Sequence, residues 1–323
     1  SERLDYFTDL DNAYLYGPTD IVGEDYTIYC ERGFYDLKNE TGDFQKNGRI
    51  NYNGKEILGD SLYFEKSKEY ASATNRVSIK DTINNSIIYG HYGEVFKASD
   101  SAVMTKRAVA LNIIENDSLF IHADTLVATG PKENRILRGY YDVRFFKTDI
   151  KGRSDSLFLN QQTGDIELIK RPLTDKEIQI FTEEDKNKRN PILWFGDSQM
   201  TGDKIFLLSE LNSKKLDSLK IVGDAFIIEK DTIGNDGYNQ IKGGLLNGDF
   251  IDGQLNNIEV IKNTQVIYYL YSDEDNELIG IDKTICSSLD MVMVNNEISD
   301  ITFHTDPSGE VFPEEEIDNN ERK

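Results

Sequence analysis

The chain has 323 residues, of which 38% are hydrophobic and 11% aromatic, and its formal net charge is −22 at pH 7. The apolar content is enough to form a core. The negative charge excludes a nucleic-acid-binding class and adsorption to an anionic membrane surface, since both need clustered lysines and arginines. No apolar run approaches the ~18 residues that a membrane-spanning helix needs.

The first 54 residues predict one partial and one full copy of a β unit, with a clear strand at Tyr26–Asp36. No signal-peptide pattern is visible. Because residue 1 falls inside a repeat, we expect that a signal and earlier repeats precede it in the natural protein.

The next stretch contains the clearest hairpin. Asp60–Glu65 and Tyr70–Ile79 alternate apolar and polar residues, and Lys66–Glu69 forms the turn between them. A period of two indicates a half-buried strand. One hairpin cannot bury its apolar face alone, so the pattern predicts neighbours of the same kind.

Such neighbours recur about every thirty residues. The apolar residue of an Asp-x-Leu pattern is Leu62 in this hairpin, and the next copies place Glu94 (degenerate), Leu126 and Leu157 at that position. Other copies are expected around Leu4, Phe34, Ile205, Leu246 and Leu289. Partner strands are expected at Ala13–Gly17, Gly42–Ile50, Ala102–Leu111, Arg135–Phe146, Thr163–Ile169, Leu216–Ile228, Leu255–Tyr269 and Ile298–Phe303. A fixed period of this length is typical of a β-solenoid or stacked β-roll.

Lys170–Pro191 interrupts the rhythm. Thr174 and Glu177 have the spacing of a capping box, which predicts one short helix over about Asp175–Lys186. The insertion is either a decorating loop or a helical lid over a groove, and the sequence leaves both alternatives open. The acidic end, Asp306–Lys323, is expected to be a frayed tail, so the predicted domains are a continuous β domain over 1–303, with the 170–191 insertion, and a flexible tail over 304–323.

The copies also predict a continuous inward-facing apolar column. Its members are Leu62, Phe64, Leu126, Ala128, Leu157, Leu159, Ile205 and Leu207. The small residues Ala71, Ala73 and Ala128 favour a groove with room for a ligand, whereas a closed core filled by side chains is the alternative.

Catalytic and metal sites are not expected. Gly59–Leu62 matches the GDSL signature of serine hydrolases, but Asp-Ser-Leu recurs three more times and Ser61 falls within a strand pattern, which indicates a structural consensus. Stacked aspartates at 60, 124, 155 and 203 are typical of strand starts more often than of a Ca²⁺ site. No cofactor is expected, and Cys30 and Cys286 are expected to remain two separate half-buried thiols, with a pairing through a partner chain left open.

The repeated units resemble the OstA-like family, which forms the periplasmic bridge of lipopolysaccharide transport (LptA and the matching domains of LptC and LptD). The resemblance rests on GDSLYFEKSKEYASATNRVSI, HADTLVATGPKENRILRGYYDVRFF, SDSLFLNQQTGDIELI and MTGDKIFLLSELNSKKLDSLKIVGDAFII. In each unit an Asp-x-Leu strand is followed by a turn and an Ala- or Gly-bearing strand. The chain looks most like the longer OstA-like proteins of Bacteroidetes-type bacteria.

This resemblance implies an all-β fold, a stacked jellyroll or β-taco, that is not an enzyme. It also implies a periplasmic location, with association with the outer membrane left open, and an apolar groove for the acyl chains of lipopolysaccharide. The partners it implies are LptC-like and LptD-like jellyrolls, or further copies of the chain, joined end to end. The alternative is a scaffold or interaction subunit of an outer-membrane assembly without a lipid ligand; a carbohydrate-active enzyme would need paired carboxylates in a cleft, which the pattern does not offer.

Overall fold

The structure is a computed structural model that describes residues 2–52, 54–82, 85–114, 117–148, 150–187, 189–211, 213–234, 237–272, 274–294 and 297–313. These residues form 21 strands, two short α-helices and two 3-10 turns. The all-β prediction is therefore confirmed. No helix within these ranges has the length and apolar character needed to cross a membrane.

The strands are β1 (Arg3–Phe7), β2 (Asn12–Val22), β3 (Tyr26–Asp36), β4 (Thr41–Tyr52), β5 (Lys55–Glu65), β6 (Tyr70–Asp81), β7 (Ser86–Phe96), β8 (Ser101–Ile114), β9 (Asp117–Thr129), β10 (Ile136–Lys147), β11 (Ile150–Asn160), β12 (Ile166–Ile169), β13 (Ile192–Phe195), β14 (Ser198–Thr201), β15 (Lys204–Ser209), β16 (Leu216–Lys230), β17 (Tyr238–Ile251), β18 (Gln254–Tyr271), β19 (Leu278–Val294), β20 (Glu297–His304) and β21 (Ser308–Pro313). The helices are α1 (Asp175–Ile180) and α2 (Glu183–Asn187), and the 3-10 turns are Lys66–Lys68 and Lys132–Asn134.

The chain divides into two compact units. Unit 1 contains Ser1–Thr148 and Phe158–Gln162, and unit 2 contains Asp149–Leu157 and Thr163–Lys323. Each unit is described by itself below. One continuous jellyroll over residues 1–303 stays a prediction.

Unit 1 is an antiparallel meander in which each strand from β1 to β10 pairs with the next. Nearly every strand bends at its middle, where the register shifts. The bends contain pairs of residues in the left-handed region, such as Lys46–Asn47 and Asn75–Arg76. A β-bulge of this kind leaves residues unpaired and turns the strand, so successive bends fold the sheet along one line into two layers with an apolar interior.

The recurring Asp of Asp-x-Leu lies at these bends. Asp60 is the unpaired residue between the two paired halves of β5 opposite β4, and Asp124 has the same place in β9 opposite β8. Asp60 accepts hydrogen bonds from Arg76 at the bend of the next strand. The aspartate thus marks the corner in these two strands, whereas Glu31 and His91 hold the same place in β3 and β7.

The register of unit 1 defines one buried column of side chains. Across β2 to β10 its members are Leu15, Gly33, Phe44, Leu62, Ala73, Gly93, Met104, Leu126 and Gly139. Leu62 and Leu126 are in the column as predicted.

Two of the predicted repeat positions lie one residue away from this column. The inward residue of β7 is Gly93 and not Glu94, and that of β3 is Gly33 and not Phe34. A Cβ on Gly93 would lie 3.1 Å from the Met104 side chain, so the methionine fills the space that the glycine leaves. Glu94 points outward, where the Tyr70 and Tyr92 hydroxyls each donate to it at 2.7 Å.

Unit 2 follows the same plan with several strands split at the bend. β16 pairs with β14 through one half and with β15 through the other, and β19 pairs in the same way with β20 and β21. β12 pairs with β15, and β13 pairs with β14 and β11. The stretch between β12 and β13 therefore occupies the place of a bend, and the predicted insertion is an enlarged corner.

The insertion forms two helices where one was predicted. Thr174 and Glu177 form the expected capping box at α1. Thr182 then starts α2, because its hydroxyl accepts from the Asp185 amide at 3.1 Å and its own amide donates back to Asp185 at 2.9 Å. A second cap in the middle of the segment favours a break over a continuous helix.

Both ends of the insertion are tied to one aspartate of β11. The Arg171 amide donates to Asp155 at 3.0 Å, and the Arg189 guanidinium also donates to it. Arg171 in turn binds Glu177 and, with Thr174, lowers the pKa of that carboxyl to about 2. The side chains of Arg171, Arg189 and Asp155 are 13%, 12% and 11% exposed, so the cluster is largely shielded from water.

We expect Asp155→Ala to loosen this insertion. Two shielded guanidiniums would lose an anionic acceptor, which costs about 2–3 kcal/mol at this depth. Trypsin should then cleave between residues 171 and 189 several-fold faster than in the unsubstituted protein, as followed by mass spectrometry. Asp124→Ala, at an exposed corner of unit 1, is the matched control; equal cleavage in both variants would contradict the anchoring role.

Part of the predicted tail is ordered. Residues 308–313 form β21 against β19, because Ile285 to Gly280 offer a free edge to pair with. The frayed-tail prediction is wrong for these six residues, and residues 314–323 lie outside the described residues. Both cysteines are buried free thiols, and burial raises the pKa of Cys30 to about 11.

Candidate functional site: the seam and interior of unit 1

The eight residues predicted to line a groove are all core residues. Each is at most 5% exposed. They are Leu62, Phe64, Leu126, Ala128, Leu157, Leu159, Ile205 and Leu207. Leu62, Phe64, Leu126, Ala128 and Leu159 belong to unit 1, and Leu157, Ile205 and Leu207 to unit 2. Their inward orientation is as predicted, whereas their role as a lipid-binding surface stays a prediction.

The interior of unit 2 is lined by large aliphatic side chains. Ile205 belongs to a column that the register carries from β12 to β19, with the members Leu168, Ile205, Ile221, Leu246, Val260 and Leu289. Each is at most 1% exposed. The predicted repeat positions Ile205, Leu246 and Leu289 thus share one column, and branched side chains of this size pack to a dense core.

The interior of unit 1 is different because small residues alternate with large ones. One buried column of its sheet contains Phe64, Ala71, Val95, Ala102, Ala128 and Leu137. Between the two layers, Ala102, Ala110 and Ala128 help to line a cavity of about 30 Å³. That volume has room for about one or two methylene groups or one water molecule.

The two edges of the folded sheet of unit 1 meet along a line that we call the seam. One edge contributes Tyr26, Tyr52 and Asp81, and the other contributes Lys66, Lys97 and Arg135. The described backbone hydrogen bonds join consecutive strands and run along each edge. Side chains therefore connect one edge to the other, and besides the six named above the Tyr26 hydroxyl shares a hydrogen bond of 2.7 Å with that of Tyr35.

Two lysines cross the seam to tyrosine rings. The ammonium of Lys66 lies 5.6 Å from the centre of the Tyr26 ring, and that of Lys97 lies 4.7 Å from the centre of the Tyr52 ring. Lys97 also approaches Asp25 of the opposite edge at 3.5 Å. The hydrogen bond with Tyr52, together with Glu69, raises the pKa of Lys97 above its ordinary value. Cation–π contacts of this type stabilise by roughly 0.5–1 kcal/mol at exposed sites.

The third crossing is a buried ion pair. Arg135 Nη1 donates to Asp81 Oδ2 at 3.1 Å, and the two side chains are 8% and 10% exposed. Arg135 Nε is buried and has no hydrogen-bond acceptor among the described residues. The guanidinium therefore has donor capacity to spare in a place shielded from water.

Lys55 is the second cation of this cluster. It lies opposite Asp81 in the register and lines the same cavity as Asp81 and Arg135. Burial and the neighbouring charge of Arg135 lower the pKa of Lys55, while Asp81 and, more weakly, Asp100 act in the opposite direction. A strongly acidic chain thus places two cations side by side at the inner rim of an apolar cavity.

The sequence analysis did not identify this charged rim, although a signal was present. The inward residues of β6 are Ala71, Ala73, Val77 and Ile79, and continuing the same alternation puts Asp81 on the apolar face. A charged residue on the buried face of a strand needs a partner. That partner, Arg135, is 54 residues away along the chain. Its identity follows only from the folding of the sheet.

Within the described ranges, no group of three or more His, Cys, Asp or Glu side chains is placed to hold a metal ion. Ser61 of the GDSL pattern lies within β5, with Leu62 buried beside it.

Comparison with known proteins gives a distant likeness among solved structures. No family model and no curated protein matches the chain. Among solved structures, the chain is similar to LptH from Pseudomonas aeruginosa, described as the LptA-homologous periplasmic component of the lipopolysaccharide transport device. The TM-score is 0.34 and the identity 7%, over 36% of this chain and 82% of that one. At this distance the likeness says nothing of what this chain binds.

Proposed function

We propose that this protein is a lipid-binding bridge component of lipopolysaccharide transport that takes acyl chains between the two layers of unit 1. The observation that carries the proposal is an interior in which alanines alternate with larger side chains and leave a small cavity, closed by a seam of side chains. Opening such a seam breaks a few side-chain contacts and leaves every backbone hydrogen bond of the meander in place.

The energetics of burial are favourable for such a ligand. Each methylene group transferred from water to an apolar interior contributes about 0.8 kcal/mol. An acyl chain of a dozen carbons therefore gains enough to offset the loss of the seam contacts described above. The cavity itself takes only one or two methylene groups, so entry of a longer chain requires the two layers of unit 1 to move apart along the seam.

The free edges of the sheets suit end-to-end assembly. Among the described strands β1 pairs with β2, and its side chains Leu4 and Phe7 are 48% and 50% exposed. A strand edge of this kind binds another strand by backbone hydrogen bonds. We therefore propose LptC-like or LptD-like jellyrolls, or further copies of this chain, as partners. The proposed role also includes a periplasmic location that extends to the outer membrane, and transport without catalysis.

A second candidate is a scaffold subunit with no lipid ligand. It is favoured by the dense aliphatic column of unit 2, where Leu168, Ile205 and Ile221 are fully buried. The two candidates differ in whether an acyl chain reaches the interior of unit 1.

Photo-crosslinking tests this difference. A benzoylphenylalanine at Leu126, which points inward in unit 1, should crosslink to added lipopolysaccharide, whereas one at the outward neighbour Val127 should not. Because a bulky residue can disturb a core, the unsubstituted chain is also tested for co-elution with lipopolysaccharide in gel filtration. Absence of both crosslink and co-elution would overturn the lipid-binding proposal and leave the scaffold.

A further inference from the structure

We propose that the seam holds a specific site for an anionic amphiphile, in which Arg135 and Lys55 bind the acidic head and the small apolar cavity receives the first methylenes of the chain. This inference rests on the proposed lipid-binding function and names the part of the lipid that unit 1 recognises. The head can be a carboxylate or a phosphate, since both accept paired hydrogen bonds from a guanidinium.

The first support is the spare hydrogen-bonding capacity of Arg135. Its Nη1 is used by Asp81, while its Nε is buried without an acceptor among the described residues. A buried donor left without an acceptor is costly. An anionic oxygen at the rim of the cavity would satisfy this donor and keep the ion pair with Asp81 intact.

The second support is the local charge. Lys55 and Arg135 both line the cavity, and Asp81 is the carboxylate that lies between them in the contacts described. Two cations facing one carboxylate at a half-buried rim favour an additional anion, because like charges that are shielded from water repel strongly. Asp100 also acts on Lys55, but it is the weakest of the charges that do so.

The third support is the polarity gradient across the site. The inward positions at the edge of the sheet are polar, namely Lys55, Asp81, Ser86 and Asn112, which the register aligns across four strands. The next inward row is apolar, namely Ile57, Ile79, Ile88 and Ala110. An amphiphile with one charged end matches this sequence of polar rim and apolar interior.

The test compares probes that share a chain and differ in the head. Calorimetric titration with dodecanoate, dodecyl phosphate and uncharged dodecanol is carried out on the unsubstituted protein and on Lys55→Gln, whose half-exposed position tolerates the change. We expect Lys55→Gln to weaken both charged probes about tenfold or more and to leave dodecanol unchanged. Lys80→Gln is the matched control, because Lys80 is exposed on the outer side of β6 and does not line the cavity, and this variant should bind all three probes as before.

Arg135→Gln is the second variant, and its fold is checked by circular dichroism before titration. Equal binding of charged and uncharged probes, or an equal effect of Lys55→Gln and Lys80→Gln, would overturn the head-group site. Crosslinking of lipopolysaccharide at Leu126 would still stand in that case, so failure of this site and failure of the proposed function are distinguishable.

Two further arms identify the source of the head group. Lipid A and dephosphorylated lipid A are titrated in the same way. Loss of affinity on dephosphorylation, sensitive to Lys55→Gln, would support the site with lipid A as its ligand. Sensitivity confined to dodecanoate would support the site with a free fatty acid as its ligand and would count against lipopolysaccharide as the cargo.

Discussion

Replacing Arg135 by methionine should lower the free energy of unfolding by about 3–5 kcal/mol. The substitution removes the partner of Asp81, whose side chain is 10% exposed, and leaves a shielded carboxylate without its guanidinium. Breaking a buried ion pair from one side is far more costly than the net stabilisation that the pair itself supplies. Urea denaturation followed by circular dichroism measures the loss.

A double variant separates the cost of leaving one buried charge unpaired from the net stabilisation that the ion pair supplies. Asp81→Leu combined with Arg135→Met removes both charges and should recover most of the lost stability, because an apolar pair of similar volume fits the same interior. The exposed pair Arg144 and Asp142, which are 63% and 51% exposed, is the control. Arg144→Met should cost less than about 1 kcal/mol. A double variant as unstable as Arg135→Met alone would contradict a buried ion pair at the seam.

Phe44→Ala should cost about 3–5 kcal/mol, whereas Phe34→Ala should cost about 1 kcal/mol or less. Phe44 is 0% exposed and belongs to the inward column beside Leu62. Truncating it removes buried apolar surface and leaves a cavity that the rigid sheet closes only in part.

Phe34 is a matched comparison because it lies on the neighbouring strand and points the other way. It faces Asp43 in the register and contacts the Tyr14 ring at 5.1 Å on the outer face. Urea midpoints of the two variants measured side by side check the register directly. Equal losses, or a larger loss for Phe34→Ala, would show that Phe34 and not Gly33 faces the interior.

The sequence determined the repeat, the strand type and most inward positions. Leu62, Leu126, Ile205, Leu246 and Leu289 were predicted from period-two alternation and a thirty-residue spacing, and the register places them in buried columns. Alternation is a local property of a strand, so it survives in the sequence without knowledge of the fold. The capping box at Thr174 was predicted for the same reason, since its two hydrogen bonds span three residues.

The glycine positions show where local pattern fails. The sequence pattern placed Phe34 and Glu94 at the repeat position, whereas the register places Gly33 and Gly93 there. A glycine has no side chain, so it contributes nothing to an apolar alternation even when it faces the interior. The space is filled from the next strand by Phe44 and by Met104, which is a property of the register and not of either strand alone.

The seam was decided by tertiary structure alone. Asp81 and Arg135 are 54 residues apart. Asp81 ends an apolar alternation in β6, whereas Arg135 lies between a 3-10 turn and β10, where no local pattern marks it as buried. They meet because each strand bends at its middle and the sheet closes on itself, which brings opposite edges together. Sequence periodicity specifies which face of a strand is buried. The bending of many strands in register specifies which edges of the sheet meet, and the charged rim of unit 1 depends on that bending.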